Sequence, residues 1–167
     1  MKRALLLMIV AASCPAPASK VQADNWPAWR GPTGQGICRE TKLPLEWSAS
    51  KNVKWKLPLP GPGNSTPIVW EKRVFLTQAT DGGAGRWTWC INRDNGKVAW
   101  KKKVEYAGSE PTHATNPYCS ASPVTDGERV IVSHGSAGLV CYDLAGRELC
   151  VETSASSAIS GETPTHR

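Results

Sequence analysis

Between residues 65 and 149 the apolar positions fall in short runs that alternate with polar ones, the period-two signature of half-buried strands. Ser65-Thr66-Pro67-Ile68-Val69 and Arg73-Val74-Phe75-Leu76-Thr77 are the first two runs, and their β-branched and aromatic side chains suit a pleated surface. Asp81-Gly82-Gly83-Ala84-Gly85 then interrupts the pattern with a glycine-rich hairpin signal. Segments 86–91 and 97–101 are predicted as the third and fourth strands, parted by the turn signal Asp94-Asn95-Gly96. A second set of four strands follows over 122–125, 129–133, 139–143 and 147–149, with turns at Asp126-Gly127, Gly135 to Gly138 and Ala145-Gly146. Residues 24–167 carry no amphipathic helical periodicity.

The two sets are copies of one unit. Cys90-Ile91-Asn92-Arg93-Asp94-Asn95-Gly96-Lys97-Val98-Ala99-Trp100 returns imperfectly as Cys141-Tyr142-Asp143-Leu144-Ala145-Gly146-Arg147-Glu148-Leu149-Cys150. Upstream of each copy, Pro67 and Pro123 stand 56 residues apart, as do Val74 and Val130. Repeats of this period built from four strands point to propeller blades. The chain therefore reads as all-β, a partial β-propeller of about two four-stranded blades over residues 51–149. Asn52-Val53-Lys54-Trp55-Lys56 matches Lys97-Val98-Ala99-Trp100-Lys101 and is expected to be a closing strand, a fourth strand without its first three.

Propellers typically have about 4 to 8 blades, and repeat units cover one another's apolar faces only in company. On that ground the chain is expected to be a truncated or frame-shifted reading frame and marginally stable alone. Residues 150–167 lose the strand alternation and become rich in Ser, Thr and Ala, a composition expected to stay disordered.

The spacing of Cys90, Asn92, Gly96 and Trp100 resembles the Ala-x-Asp-x-x-x-Gly-x-x-x-Trp docking signature of pyrroloquinoline quinone (PQQ)-like β-propeller repeats. That family includes quinoprotein dehydrogenases and the propeller subunit of the outer-membrane protein assembly machinery. The resemblance covers residues 50 to 150. Cys90 and Asn92 stand where the family has Ala and Asp; in the second copy Asp143 is kept, the turn is one residue shorter, and Cys150 replaces Trp. It implies blade-docking roles for Trp55, Gly96, Trp100, Asp143 and Gly146. The segments Asn25-Trp26-Pro27-Ala28-Trp29-Arg30-Gly31-Pro32 and Gly61-Pro62-Gly63 are similar to those of secreted bacterial members.

Residues 1–23 have Lys2 and Arg3, an apolar run and a small-residue end at Ala23, the organisation of a secretory leader. An exported location, periplasmic or extracellular, is expected. Cys14 lacks the leucine usual in a lipoprotein box, and only lipidation there would bring the chain to a membrane. Removing the leader removes Lys2, Arg3 and Lys20 and no acid, leaving 17 of the 20 bases against 14 acids, a net +3. That is too little for a nucleic-acid footprint, and Lys101-Lys102-Lys103 reads as a solvated edge.

Five of the six cysteines remain: Cys38, Cys90, Cys119, Cys141 and Cys150. An exported protein can form disulfides, and an odd count leaves at least one thiol unpaired or paired to another chain. Cys90 and Cys141 hold equivalent third-strand positions and read as small buried hydrophobes. Trp87 and Trp89 flank Thr88 and share one face, while residues 24–50 form a Pro/Gly/Trp-rich arm pinned by Trp26 and Trp29.

The long connection 105–119 offers His113, Asn116 and Tyr118 as candidate ligand contacts, since loops on rigid scaffolds carry function. One histidine with Cys119 does not make a metal site. Ser136 beside His134 lacks the third group of a catalytic set, and Asp126 and Glu128 sit in a turn where solvation is their role. The sequence thus reads as a non-catalytic binding or assembly scaffold whose partner is a protein or further blades, with no cofactor expected. A PQQ-dependent oxidoreductase fragment is the alternative, and an aromatic carbohydrate-binding module a weaker third reading.

Overall fold

The computed structural model describes residues 24–41, 43–108 and 110–152. The leader with Cys14, and the tail from residue 153 onward, lie outside the described residues. The described chain is nearly all β: two antiparallel four-stranded sheets, and two 3₁₀ turns at Asp81–Gly83 and Gly135–Ala137. Sheet I is β1 (Ile68–Trp70), β2 (Arg73–Thr80), β3 (Gly85–Asn92) and β4 (Val98–Glu105). Sheet II is β5 (Val124–Thr125), β6 (Arg129–Ser133), β7 (Leu139–Asp143) and β8 (Glu148–Glu152). Each is a meander whose spatial order equals its chain order.

The strands keep the expected order, but β2 and β4 run on to Thr80 and Glu105 and β5 starts only at Val124, and three further differences have a local reason. β1 begins only at Ile68, because Pro67 has no N–H for a ladder. Ser65 and Thr66 bond sideways instead: Ser65 Oγ accepts from the Thr77 amide at 2.9 Å, and Ser122 Oγ accepts from the Thr66 amide at 2.9 Å. β8 continues to Glu152 because Val151 and Glu152 still find Val140 and Leu139 opposite them. Residues 52–56, expected as a closing strand, join neither ladder. They are tethered through a side chain, the Trp55 indole donating to the Arg93 carbonyl at 2.8 Å.

The core lies between the sheets. Register sets Ile68 opposite Phe75, Phe75 opposite Cys90 and Cys90 opposite Trp100, so these four form one row on one face of sheet I. The row packs on Val130, Val132, Val140 and Tyr142 of sheet II, all fully buried. Trp100 stands between the layers, its ring centroid 5.9 Å from Phe75 and 5.6 Å from Tyr142, both tilted. Tilted aromatic contacts of this kind contribute about 0.5–1.5 kcal/mol each beyond the area they bury.

One aromatic-on-glycine contact occurs at two successive steps. Trp55 lies on Gly96, whose φ of +72° is closed to most side chains, and a Cβ there would sit 2.7 Å from the indole. Trp100 lies on Gly146, φ +86°, with the same 2.7 Å clearance, and its indole donates to the Leu144 carbonyl at 3.1 Å. In each case the accepting carbonyl follows a residue that organises the turn. Asn92 Oδ1 accepts from the Asp94 amide at 2.9 Å, and Asp143 Oδ1 accepts from the Ala145 and Arg147 amides at 3.0 and 2.8 Å. Asn and Asp share that acceptor oxygen, so exchanging one for the other leaves the turn intact.

The N-terminal arm crosses both inner edges. Trp26 exchanges backbone hydrogen bonds with Val69 at 2.7 and 2.8 Å, and the Pro27 carbonyl accepts from the Thr125 amide at 2.9 Å. Trp29 is exposed, with Arg30 stacked 4.5 Å from its ring. Gly146→Ala combines left-handed strain with a clash against Trp100 and is expected to cost about 3 kcal/mol. Gly82→Ala, at φ +61° with open space around it, meets the strain alone, about 1 kcal/mol. Urea midpoints read the difference; equal losses would mean that the ring contact contributes nothing.

Candidate functional site

The connection from β4 to β5 folds over the junction of the sheets and walls a cleft of about 270 Å³ with Arg86, Glu110, His113, Asn116, Tyr118 and Cys119. Its floor begins with the alternation of β3. Arg86 and Thr88 are in phase with Cys90, so they face sheet II, and a guanidinium placed there must be fully paired. Arg86 is 1% exposed. All three of its nitrogens donate: Nε to the Gly83 carbonyl, Nη1 to the His134 carbonyl at 2.9 Å, and Nη2 to Glu110 Oε1 at 2.8 Å. The rings of Tyr118 and Tyr106 lie 4.4 and 5.2 Å from the guanidinium carbon.

Glu110 completes the bridge to sheet II. Its Oε2 accepts from the Ser136 hydroxyl, and from the Ser136 amide at 3.2 Å. These bonds, the Ser136 hydroxyl first and then Arg86, hold the Glu110 carboxyl below the usual range, so it is ionised at neutral pH.

Beneath the salt bridge runs a second network. Thr88 Oγ1 lies 3.1 Å from His134 Nε2. His134 Nδ1 is 3.8 Å from the Cys119 sulfur, and that thiol donates to the Gln78 carbonyl at 3.2 Å. Gln78 in turn accepts from the Trp89 indole at 3.1 Å and donates to the Gly61 carbonyl at 2.8 Å. Cys119 holds a left-handed backbone, φ +61°, which the thiol bond and the Thr77 hydroxyl on its carbonyl, at 3.0 Å, keep in place. Among the described residues no buried side-chain nitrogen or oxygen lacks a partner.

A thiol beside an imidazole invites comparison with nucleophilic catalysis. Burial decides against it here. It pushes the Cys119 thiol up to about 11 and, with Arg86 nearby, pushes His134 down to about 4. Both shifts oppose transfer of the proton from the thiol to the imidazole. Both groups hold the sheets together as neutral hydrogen-bonding side chains.

The residues singled out from the sequence sit at the rim. His113 and Asn116 are exposed and close a small turn, the Asn116 amide donating to the His113 carbonyl at 2.9 Å, with His113 Nδ1 2.8 Å from Thr115 Oγ1. Tyr118 turns inward, its hydroxyl donating to the Glu110 carbonyl at 2.8 Å. The loop thus brings Tyr118 to Arg86 and leaves His113 and Asn116 facing solvent. Arg86, Glu110, Thr88 and Gln78 were not singled out; Arg86 in phase with Cys90 on a core-facing strand was the available signal. Ser136 bonds Glu110, while the His134 ring bonds Thr88 and contacts Cys119.

Trp87 and Trp89 share a face, ring centroids 6.5 Å apart, and Lys101 Nζ stands 5.1 and 5.2 Å from the two rings. The lysine run on β4 is therefore partly spent on aromatic faces. A larger hollow of about 490 Å³ lies under the N-terminal arm, walled by Trp26, Ile37 and Trp70. Among the described residues no three His, Cys, Asp or Glu side chains converge as a metal would require. The chain matches no family model, and no curated protein is significantly similar to it.

His134 makes stability depend on pH. Its folded value, about 4, lies below the ordinary 6.5, so the unfolded chain takes up the proton first as pH falls. Its contribution is complete above pH 6.5 and is lost on the way down to about 4, by about 3 kcal/mol at most. His134→Asn should flatten the urea midpoint across that window. A wild-type midpoint that is itself flat there would contradict the buried neutral imidazole.

Proposed function

We propose that the two sheets are neighbouring blades of an exported, PQQ-like β-propeller, and that the chain is a non-catalytic binding or assembly scaffold that needs no cofactor. The observation that carries this reading is a row of side chains on sheet II. Val124 lies opposite Ile131, Ile131 opposite Cys141 and Cys141 opposite Cys150. It is the counterpart of Ile68, Phe75, Cys90 and Trp100 on sheet I, the row that sheet II covers. On sheet II, Val124 and Ile131 remain 43% and 44% exposed, and the neighbouring Leu139 48%.

The repeat argues for what seats there. The first row is met by Val130, Val132, Val140 and Tyr142 of the following sheet, so its counterpart fits another four-stranded sheet with a face of that kind. Indole-on-glycine docking at two successive steps supports a regular stack of such sheets. The cleft supports the non-catalytic part, because Arg86, Glu110 and Ser136 are committed to joining the sheets. Lys101 and Lys103, turned onto tryptophan rings, leave little for a phosphate backbone and favour a protein partner.

In the purified chain the available sheet of this kind is a second copy, which can add head to tail. Sedimentation velocity should therefore show association that grows with concentration. Ile131→Lys should return the chain to a monomer, while Glu128→Gln, on a turn of the same sheet, should not. A chain that stays monomeric at high concentration, or an Ile131→Lys variant that associates like the parent, would overturn the scaffold reading.

A further inference from the structure

We infer that Cys141 and Cys150 are an oxidisable cross-strand pair that forms a disulfide between β7 and the edge strand β8. Register places the two residues directly opposite each other, hence on the same face of sheet II. Opposed residues of an antiparallel ladder have Cα atoms about 4.5–5.5 Å apart, inside the range a disulfide spans. Cys150 is near enough to Cys141 to raise its thiol above the ordinary value. The ladder shifts by one residue immediately beyond the pair, between Cys141 and Tyr142, and such a bulge bends and twists the strand locally.

The rest of the chain sets this pair apart. In sheet I the equivalent of Cys141 is Cys90, and it faces Trp100 rather than a second cysteine. Cys119 spends its thiol on the Gln78 carbonyl, and Cys38 is exposed on the N-terminal arm. Among the described cysteines, only Cys141 and Cys150 oppose each other across a ladder. They also differ in access: Cys150 is exposed and Cys141 is buried. Burial, and then the contact with Cys150, raises the Cys141 thiol above its ordinary value, so Cys150 is the entering sulfur.

The chemistry is thiol–disulfide exchange with a small disulfide as oxidant. The Cys150 thiolate attacks one sulfur of R–S–S–R, breaking that bond, forming a mixed disulfide and releasing one thiolate. The Cys141 thiolate then attacks the Cys150 sulfur, forms the intramolecular bond and expels the second thiolate. The two protein thiols are oxidised, the small disulfide is reduced to two R–SH, and the two protons leave with them. The product staples the last described strand to its neighbour on the open face of the sheet.

The test treats reduced, folded protein with oxidised glutathione, alkylates the remaining thiols and digests with trypsin. Cleavage after Arg129 and Arg147 puts Cys141 in peptide 130–147 and Cys150 in peptide 148–167. The expected product is these two peptides joined, lighter by two hydrogens than their sum and separated by reductant. Cys141→Ser should instead leave Cys150 carrying glutathione, and Cys90→Ser should not change the yield of the linked pair. Recovery of the parent with Cys150 glutathionylated and Cys141 alkylated, or with Cys150 joined to Cys38, would overturn the assignment.

Discussion

The packing of Trp100 between the sheets is the contact on which the rest of this structure depends. Its indole meets three different surfaces at once: Phe75 of its own sheet, Tyr142 of the next, and the bare backbone of Gly146. A side chain on residue 146 would hold the ring off, and a smaller residue at 100 would leave a cavity between two close-packed layers. The indole N–H also needs an acceptor once buried, and the Leu144 carbonyl serves because Asp143 holds the turn that presents it. One large amphipathic ring thus couples the fourth strand of one sheet to the last turn of the next, in distance and in orientation.

The Arg86–Glu110–Ser136 bridge ties the long connection to both sheets, and a guanidinium without its partners would be an uncompensated buried charge. Its bonds reach Gly83 before β3, His134 after β6 and Glu110 in the connection, three places far apart in the chain. The neutral network of Thr88, His134, Cys119 and Gln78 lies directly below, where low dielectric strengthens a satisfied hydrogen bond and penalises a missing one. The same burial that makes these groups good fasteners removes them from acid–base chemistry. Structural commitment and catalytic reactivity compete for the same side chains here.

The two four-stranded meanders were legible because their signals are local. Alternation, Asp-Asn-Gly and Ala-Gly turns, and the glycine-to-tryptophan spacing all act within a few residues. Segment 52–56 misled for the same reason: it copies a strand's local pattern, yet a strand is defined by a partner, and neither sheet pairs with it. The cleft was harder. Arg86 and Glu110 are 24 positions apart, and Thr88 and His134 are 46 apart, so nothing in either neighbourhood names the other. The one local sign was phase, since a charge on the core-facing side of β3 calls for a partner somewhere. His113 and Asn116 stood out by residue type alone, but type does not say whether a loop turns a side chain inward, as it does Tyr118, or out.

The step from one sheet to the next is not a uniform repeat. Sheet I ends its apolar row with Trp100, long enough to cross the interface and touch the following turn. Sheet II ends the same row with Cys150, which reaches no farther than its own opposite neighbour. A tryptophan buries about 150–250 Å². At roughly 25 cal/mol per Å² its loss removes on the order of 4 kcal/mol from any interface built on the second row. A sheet seated on Val124, Ile131 and Leu139 must make up that difference with an aromatic of its own or be held less tightly than the first pair. The same exchange that weakens the row for docking sets two sulfurs face to face. One substitution therefore converts a packing position into a redox-capable one, and the outer face of sheet II differs in chemistry from the interface it otherwise copies.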